Sequence, residues 1–430
     1  MAVRLQFVPG REPPDLLELP WSVPLGEWHH ERMVRMAHGT SRHVVRFVSD
    51  GERVYALKEM PRRDAEHEYR MLRLLAAHNL PVVEAVGLVT ERETTEGIPL
   101  DPILITRYLD YSLPFNYLFS VEGGQALGRR LLDSGVVLLV RLHLDGCFWG
   151  DCSLSNLLFR RDAGALMAYL VDAETAEQHD PPLSPALRDT DLSVARENIA
   201  GGLFDLQASG RLPADIDVVA VVDLLEERYT ALWEELTATH EADADDRHAI
   251  ERRVRRLNDL GFDVEELVVE HDAPAARLHV TPALVEEGHH SRELRRLTGL
   301  EVQENQARRL LNDIASYGAY LSRAEGRDIP QAVAAARWIA EVFEPLVAQI
   351  PVELRGRLEP AELFHELLEH RYYRSEDEGH EVDNSSALRS YIDSVLRFRP
   401  DERLLLTHDD QDGAAQPSRD SLDFPRVNGV

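Results

Sequence analysis

The chain has 430 residues, 76 of them acidic and 47 basic, for a formal net charge of −29. A balance this negative repels phosphate backbones and anionic headgroups at long range, so no nucleic-acid partner is expected, although a locally positive pocket for a small anion stays compatible. No run of 18 apolar residues argues for stable membrane insertion, and the first ten residues lack a signal-peptide core. Two cysteines, Cys147 and Cys152, are too few for a disulfide framework and read as packing residues; the expected compartment is cytoplasmic.

Residues 1–30, rich in Pro and Trp and without periodicity, read as an extended lead-in. The apolar runs Val44–Val48 and Val54–Leu57 flank Ser49-Asp50-Gly51-Glu52-Arg53, a hairpin signal. Asp64–Leu75 reads as a helix, and Pro81–Val89 and Ile103–Tyr108 as strands, which together make a small α+β lobe. A helix over Gln125–Leu144, a loop and a strand over Met167–Val171 follow. Beyond Pro181 the pattern turns helical: Asp217–Thr239, His248–Leu260, Ser291–Ala324, Gln331–Gln349 and Glu359–Tyr372, with a short β excursion at Val264–Val280. Glu376–Ser386 reads as an acidic linker, and the stretch from His408 to Val430 as disordered.

Chemistry concentrates at a few points. Among 47 cationic residues there is a single lysine, Lys58, closing the run Val54-Tyr55-Ala56-Leu57. A position that keeps an ammonium against that bias calls for a compact point charge, not a planar fork. Further on, Gly150-Asp151-Cys152-Ser153-Leu154-Ser155-Asn156 sets Asp and Asn five positions apart, ahead of an apolar strand. That spacing lets a carboxylate face an acceptor hydroxyl while the amide oxygen reaches a metal across a short loop. Tyr169-Leu170-Val171-Asp172-Ala173-Glu174 is an apolar strand ending in Asp, where a second metal ligand belongs. Glu66 and Glu68 are both candidates to pair with Lys58. They face different sides of their helix, and Glu68 is preferred because it adjoins the apolar face with Leu72. Met36–His43, with Gly39 and Ser41, is a polar turn just before the hairpin.

With Lys58, Glu68, Asp151, Asn156 and Asp172 in this order, residues 33–200 resemble protein-kinase-like phosphotransferases. The likeness is closer to atypical bacterial kinases, in particular the lipopolysaccharide core kinase group, than to eukaryotic Ser/Thr kinases. The chain is also similar to an uncharacterised bacterial family that joins such a lobe to a C-terminal helical domain of unknown function. The resemblance implies an α+β, protein-kinase-like bilobal fold. A β-rich N-lobe would span 31–110 and a helical C-lobe with the catalytic loop 111–205. A mainly α-helical domain over 206–375, a linker and final helix over 376–407, and a tail over 408–430 would follow. It implies ATP and Mg²⁺ as cofactors, with Lys58, held by Glu68, on the α/β-phosphates and Asn156 and Asp172 on the metal. Asp151 would orient the acceptor hydroxyl and accept its proton. Gly39 and Ser41 would cover the phosphates, and Thr106, Tyr108 and Leu109 would meet the adenine.

Two departures qualify that picture. Gly150 replaces the arginine that receives an activation-loop phosphate, and Asp-Ala-Glu replaces Asp-Phe-Gly, which removes the Phe switch. Both suggest a constitutively formed site, as in small-molecule phosphotransferases. The acceptor class stays open among sugar, lipid headgroup, small metabolite and protein. The alternative is a nucleotide-binding pseudokinase whose helical domain engages a protein partner; a third reading is an interaction protein that binds no nucleotide. His365-Glu366-Leu367-Leu368-Glu369-His370 is not a metalloprotease helix, since its two His lie five apart, about 140° around a helix.

Overall fold

A computed structural model describes residues 3–8, 14–36, 42–51, 53–115, 125–237, 240–243, 264–272, 277–284, 288–380 and 382–399. The chain is α+β and divides into two compact units. Among the described residues, unit 1 holds those up to Arg160 and Ala168–Trp233, and unit 2 holds Arg161–Met167 and those from Glu234 onward.

Unit 1 begins with a six-stranded antiparallel sheet in the order β1-β5-β6-β4-β3-β2, formed by β1 (Arg4–Phe7), β2 (Met33–Val34), β3 (Val44–Asp50), β4 (Arg53–Glu59), β5 (Ala85–Thr90) and β6 (Ile103–Arg107). The β3–β4 hairpin reverses at Gly51, whose φ of +61° is a conformation that side chains with a Cβ rarely adopt. Between β4 and β5 runs α1 (Arg62–Ala77), which buries Ala65, Glu68, Tyr69, Leu72 and Leu75 along one stripe. Glu68 thus lies on the packed face.

The N-terminal segment is not the lead-in expected from its sequence. β1 pairs with β5, and Leu16, Leu19, Trp21, Leu25 and Trp28 pack with Val48, Leu57, Ile103 and Ile105 in one core. Turns and a single 3₁₀ turn connect them, so no period of 2 or 3.6 advertises the burial. A fully buried guanidinium secures the segment. Arg92 donates to the carbonyls of Trp21, Val23 and Asp101 and to Glu59, which itself accepts the Leu25 N–H.

The chain after this sheet forms β7 (Leu113–Pro114), α2 (Gln125–Leu144), β8 (Cys147–Phe148), β9 (Leu157–Asp162), β10 (Ala165–Leu170), β11 (Glu177–Gln178), α3 (Pro185–Ala208) and α4 (Val218–Thr237), all in unit 1 except the last two residues of β9, the first three of β10 and the last four of α4, which belong to unit 2. The small sheets β10-β9-β7 and β11-β8 flank the loop that carries Asp151. This succession of sheet with one intercalated helix, long helix, loop, hairpin and helices is α+β, in the element order expected from the sequence. Unit 1 runs on to Trp233, past the 205/206 boundary expected from sequence, because α4 packs in it: Tyr229 reaches His143 of α2.

Unit 2 contains the three-stranded sheet β12 (His240–Asp243), β13 (Val264–Asp272) and β14 (Arg277–Leu284) in the order β12-β14-β13, so the expected β excursion is a hairpin with a third strand. Its helices are α5 (His289–Thr298), α6 (Glu304–Glu325), α7 (Gln331–Trp338), α8 (Glu344–Ala348), α9 (Pro360–Glu378) and α10 (Asn384–Ser394). The single helix expected over Ser291–Ala324 is broken at Gly299, a left-handed C-cap with φ +78°. A π turn over Ile339–Phe343 joins α7 to α8. The expected acidic linker shortens to the few residues between α9 and α10. Trp338, Phe343 and Phe364 form an aromatic centre with 5.4 Å between each pair of ring centroids. Within this unit Asp162 accepts the N–H groups of Asn305 and Gln306 at the start of α6, while Glu362 accepts those of Ala163 and Gly164. His365 meets Arg309, Glu366 meets Tyr391 and Arg399, and His370 meets Ser390, so they converge on no common point. The expected helix His248–Leu260 and the tail from 408 lie outside the described residues. No described helix is long and apolar enough to cross a membrane.

Candidate active site

β4, α1 and the end of β10 bring one ammonium against three carboxylates. Lys58 Nζ lies 2.9 Å from Glu68 Oε2, 2.6 Å from Asp172 Oδ2 and 3.8 Å from Glu174 Oε2. β4 lies inside the sheet, between β3 and β6, and Lys58 pairs with Val45 and Leu104, so the strand end cannot drift. Of the two glutamates on α1, Glu68 makes the pair; Glu66 faces solvent and pairs with Arg62.

The cluster is crowded with negative charge. Burial, reinforced by Asp172, pushes the Glu68 carboxyl up to about 8 against the pull of Lys58. Burial disfavours the Lys58 ammonium, yet Glu68 and Asp172 outweigh it and hold its pKa above the ordinary value. Glu68, Asp172 and Glu174 each place an oxygen within 4.8 Å of the others. Surplus carboxylate oxygens gathered this closely suit a hard divalent cation such as Mg²⁺.

A second group forms on the loop after β8. Asn156 Nδ2 donates at 3.0 Å both to the Asp151 carbonyl and to Asp151 Oδ2, and Asn198 Nδ2, from α3, donates to Asp151 Oδ1 at 2.9 Å. Burial chiefly, with Asp172 and Glu174 adding to it, holds the Asp151 carboxyl above its usual value, while Asn156 opposes the rise. The loop is seated on Asp191 of α3, which is fully buried. Its carboxylate accepts the N–H groups of Trp149 at 2.7 Å and Gly150 at 2.8 Å, and meets His143 Nε2 at 3.0 Å. Gly150 takes φ +76°, and a Cβ there would fall 2.9 Å from the Phe148 ring. Glycine at position 150 is therefore set by backbone geometry. Trp149 is fully buried and its indole N–H donates to the Asp172 carbonyl, tying the two groups together.

Three residues here were not singled out from the sequence. Asp191 and Asn198 are isolated polar positions in a helix with no local motif. Glu174 was visible as the last residue of Asp-Ala-Glu, and it joins the cluster while pairing with Arg42 at 3.0 Å and His43 at 2.9 Å. Gly39 and Ser41 lie outside the described residues. Of the residues expected at the adenine, Thr106 sits in β6. The Tyr108 N–H donates to the Val54 carbonyl, and the Leu109 carbonyl accepts from the Ser112 N–H. Cys147 and Cys152 are buried free thiols whose pKa burial raises, in keeping with packing roles.

The model of a family described as Domain of unknown function (DUF4032) matches residues 231–396, nearly all of them within unit 2. No curated protein matches the chain. Among solved structures the chain is similar to WaaP in complex with acyl carrier protein, at 15% identity and TM-score 0.32, over 53% of this chain and 88% of that one. It is also similar to the yeast RNA Pol II CTD kinase CTDK-1 complex, at 16% identity and TM-score 0.26, over 36% of this chain and 49% of that one.

Proposed function

We propose that unit 1 is an ATP- and Mg²⁺-dependent phosphotransferase that moves the γ-phosphoryl group to a hydroxyl. The observation that carries this reading is the grouping of Lys58 with Glu68 and Asp172, tied through Trp149 to a loop whose Asp151 is held by two amides. Catalysis of this kind rests on positioning and charge compensation, since little covalent chemistry falls to the protein.

In this reading Lys58, oriented by Glu68, holds the α/β-phosphates, a task suited to a compact ammonium. Asp172 and Asn156 would hold Mg²⁺, with Glu174 in the same carboxylate cluster as Asp172. Bound there, the metal would neutralise charge on the phosphoryl oxygens. Asp151 orients the acceptor hydroxyl and takes its proton, and its raised pKa brings it closer to the working range of a general base. The backbone at Thr106, Tyr108 and Leu109, where β6 ends, borders the adenine, with Gly39 and Ser41 over the phosphates. The acceptor is a hydroxyl of a sugar, lipid headgroup, small metabolite or protein.

The test is slow hydrolysis of ATP by the purified protein, water standing in for the acceptor. Asp151→Asn should bind Mg·ATP as the parent does yet lose about 10²–10⁴-fold in turnover. Asp172→Asn should weaken Mg²⁺-dependent binding itself. Equal residual hydrolysis in all three proteins overturns the catalytic reading.

A further inference from the structure

We infer that Asn198 is a positioning residue for Asp151, setting from α3 the direction in which that carboxylate faces the acceptor hydroxyl. The inference rests on the phosphotransfer reading. Asp191, Ala195, Asn198 and Gly202 follow one another at i, i+4, i+7 and i+11, a single stripe of the helix. Three of its four members meet the loop. Asp191 takes the backbone of Trp149 and Gly150, Ala195 is fully buried, and a Cβ on Gly202 would come within 3.0 Å of the Leu154 side chain. Asn198 is the member that reaches a reacting group.

The two oxygens of Asp151 are held separately, Oδ2 by Asn156 at 3.0 Å and Oδ1 by Asn198 at 2.9 Å. An aspartate held at one oxygen still swings about its last torsion, which is broad. Held at both, it is fixed in plane, and each oxygen keeps a lone pair for a hydroxyl proton. The two donors differ in origin. Asn156 belongs to the loop and is also assigned to the metal, whereas Asn198 belongs to a 24-residue helix capped at Ser184 and anchored to the loop backbone by Asp191. A donor on that scaffold keeps its place whatever the loop binds.

The experiment measures phosphate release from Mg·ATP, its KM, and melting temperature for the parent, Asn198→Ala and Asn198→Asp, each also in the Asp151→Asn background. Asn198→Ala should lower kcat by about ten- to a hundredfold, the loss of one hydrogen bond to a charged group, with KM and melting temperature unchanged. Asn198→Asp, equal in shape but without the donor, should fall at least as far. In the Asp151→Asn background Asn198→Ala should cost nothing further. Full activity in either single variant, or an equal loss in both backgrounds, overturns the role of Asn198 while leaving the phosphotransfer reading intact. A parent no faster than Asp151→Asn overturns that reading, and the positioning role with it.

Discussion

Asp191→Ala removes the buried anchor of the loop that carries Asp151. The side chain is wholly buried and accepts from two backbone N–H groups, those of Trp149 and Gly150, and from the ring N–H of His143. The tautomer follows from the network: Nδ1 of His143 meets Tyr229 Oη at 2.6 Å and Nε2 meets Asp191. Removing the carboxylate strands three donors. A buried donor left without a partner costs about 1–3 kcal/mol, and water can reach Gly150 more readily than Trp149, so the expected loss is about 3–5 kcal/mol. For a unit of this size that lowers the melting temperature by about 10 °C. Asp191→Asn should fall between the two, since its amide oxygen can accept one N–H while its NH₂ opposes the other. The assay is thermal unfolding together with amide hydrogen exchange at Trp149 and Gly150, which should accelerate. A loss below about 1 kcal/mol with unchanged exchange at those amides would refute the reasoning, because the loop would then not depend on this anchor.

Lys58→Arg keeps the charge but forces a broad guanidinium into a slot where the ammonium lies within 3 Å of two carboxylates; calorimetry should show Mg·ATP affinity falling about tenfold or more. Gly150→Ala should cost about 1–3 kcal/mol in urea denaturation, since it needs a left-handed backbone and meets the Phe148 ring; a variant as stable as the parent would contradict a φ of +76° at this position. Burial holds the pKa of His143 below its ordinary 6.5 despite Asp191, so the unfolded chain takes up the proton first. Stability from this group is complete above about pH 6.5 and declines as pH falls, by up to about 1.4 kcal/mol per unit; Glu68, raised to about 8, has the opposite slope over the same window, so the reading is the difference between the urea-denaturation profiles of the parent and His143→Gln from pH 7 to 5, and two parallel profiles would count against it.

Much of the frame was legible because it obeys short-range rules. The hairpin at Asp50-Gly51, the stripe of α1 and the bounds of α2 follow from turn chemistry and periodicity. Lys58, Glu68, Asp151, Asn156 and Asp172 stood out through spacing and, for Lys58, through compositional isolation. What escaped were residues that carry no local motif and are defined only by distant partners. Asp191 and Asn198 look like ordinary helix polar residues, and their shared stripe acquires meaning only once α3 is known to lie under the loop. Trp21 and Trp28 are irregular in sequence because each is buried by a turn rather than by a repeating face. The break at Gly299 was hidden by helix-forming residues on both sides, which outvote one glycine in any window average.

The seat of Arg92 bears on how this protein can be cut. A fragment begun at residue 31, where composition alone would place the start of the lobe, discards the Trp21 and Val23 carbonyls and the Leu25 N–H. It keeps the buried guanidinium and Glu59 that those groups satisfy, and Glu59 is the neighbour of Lys58 on β4. Such a fragment would strip the hydrophobic cover from Leu57 and Ile105 and loosen the strand that presents the ammonium. A failed expression or a dead fragment would then report the position of the scissors, not the competence of the site.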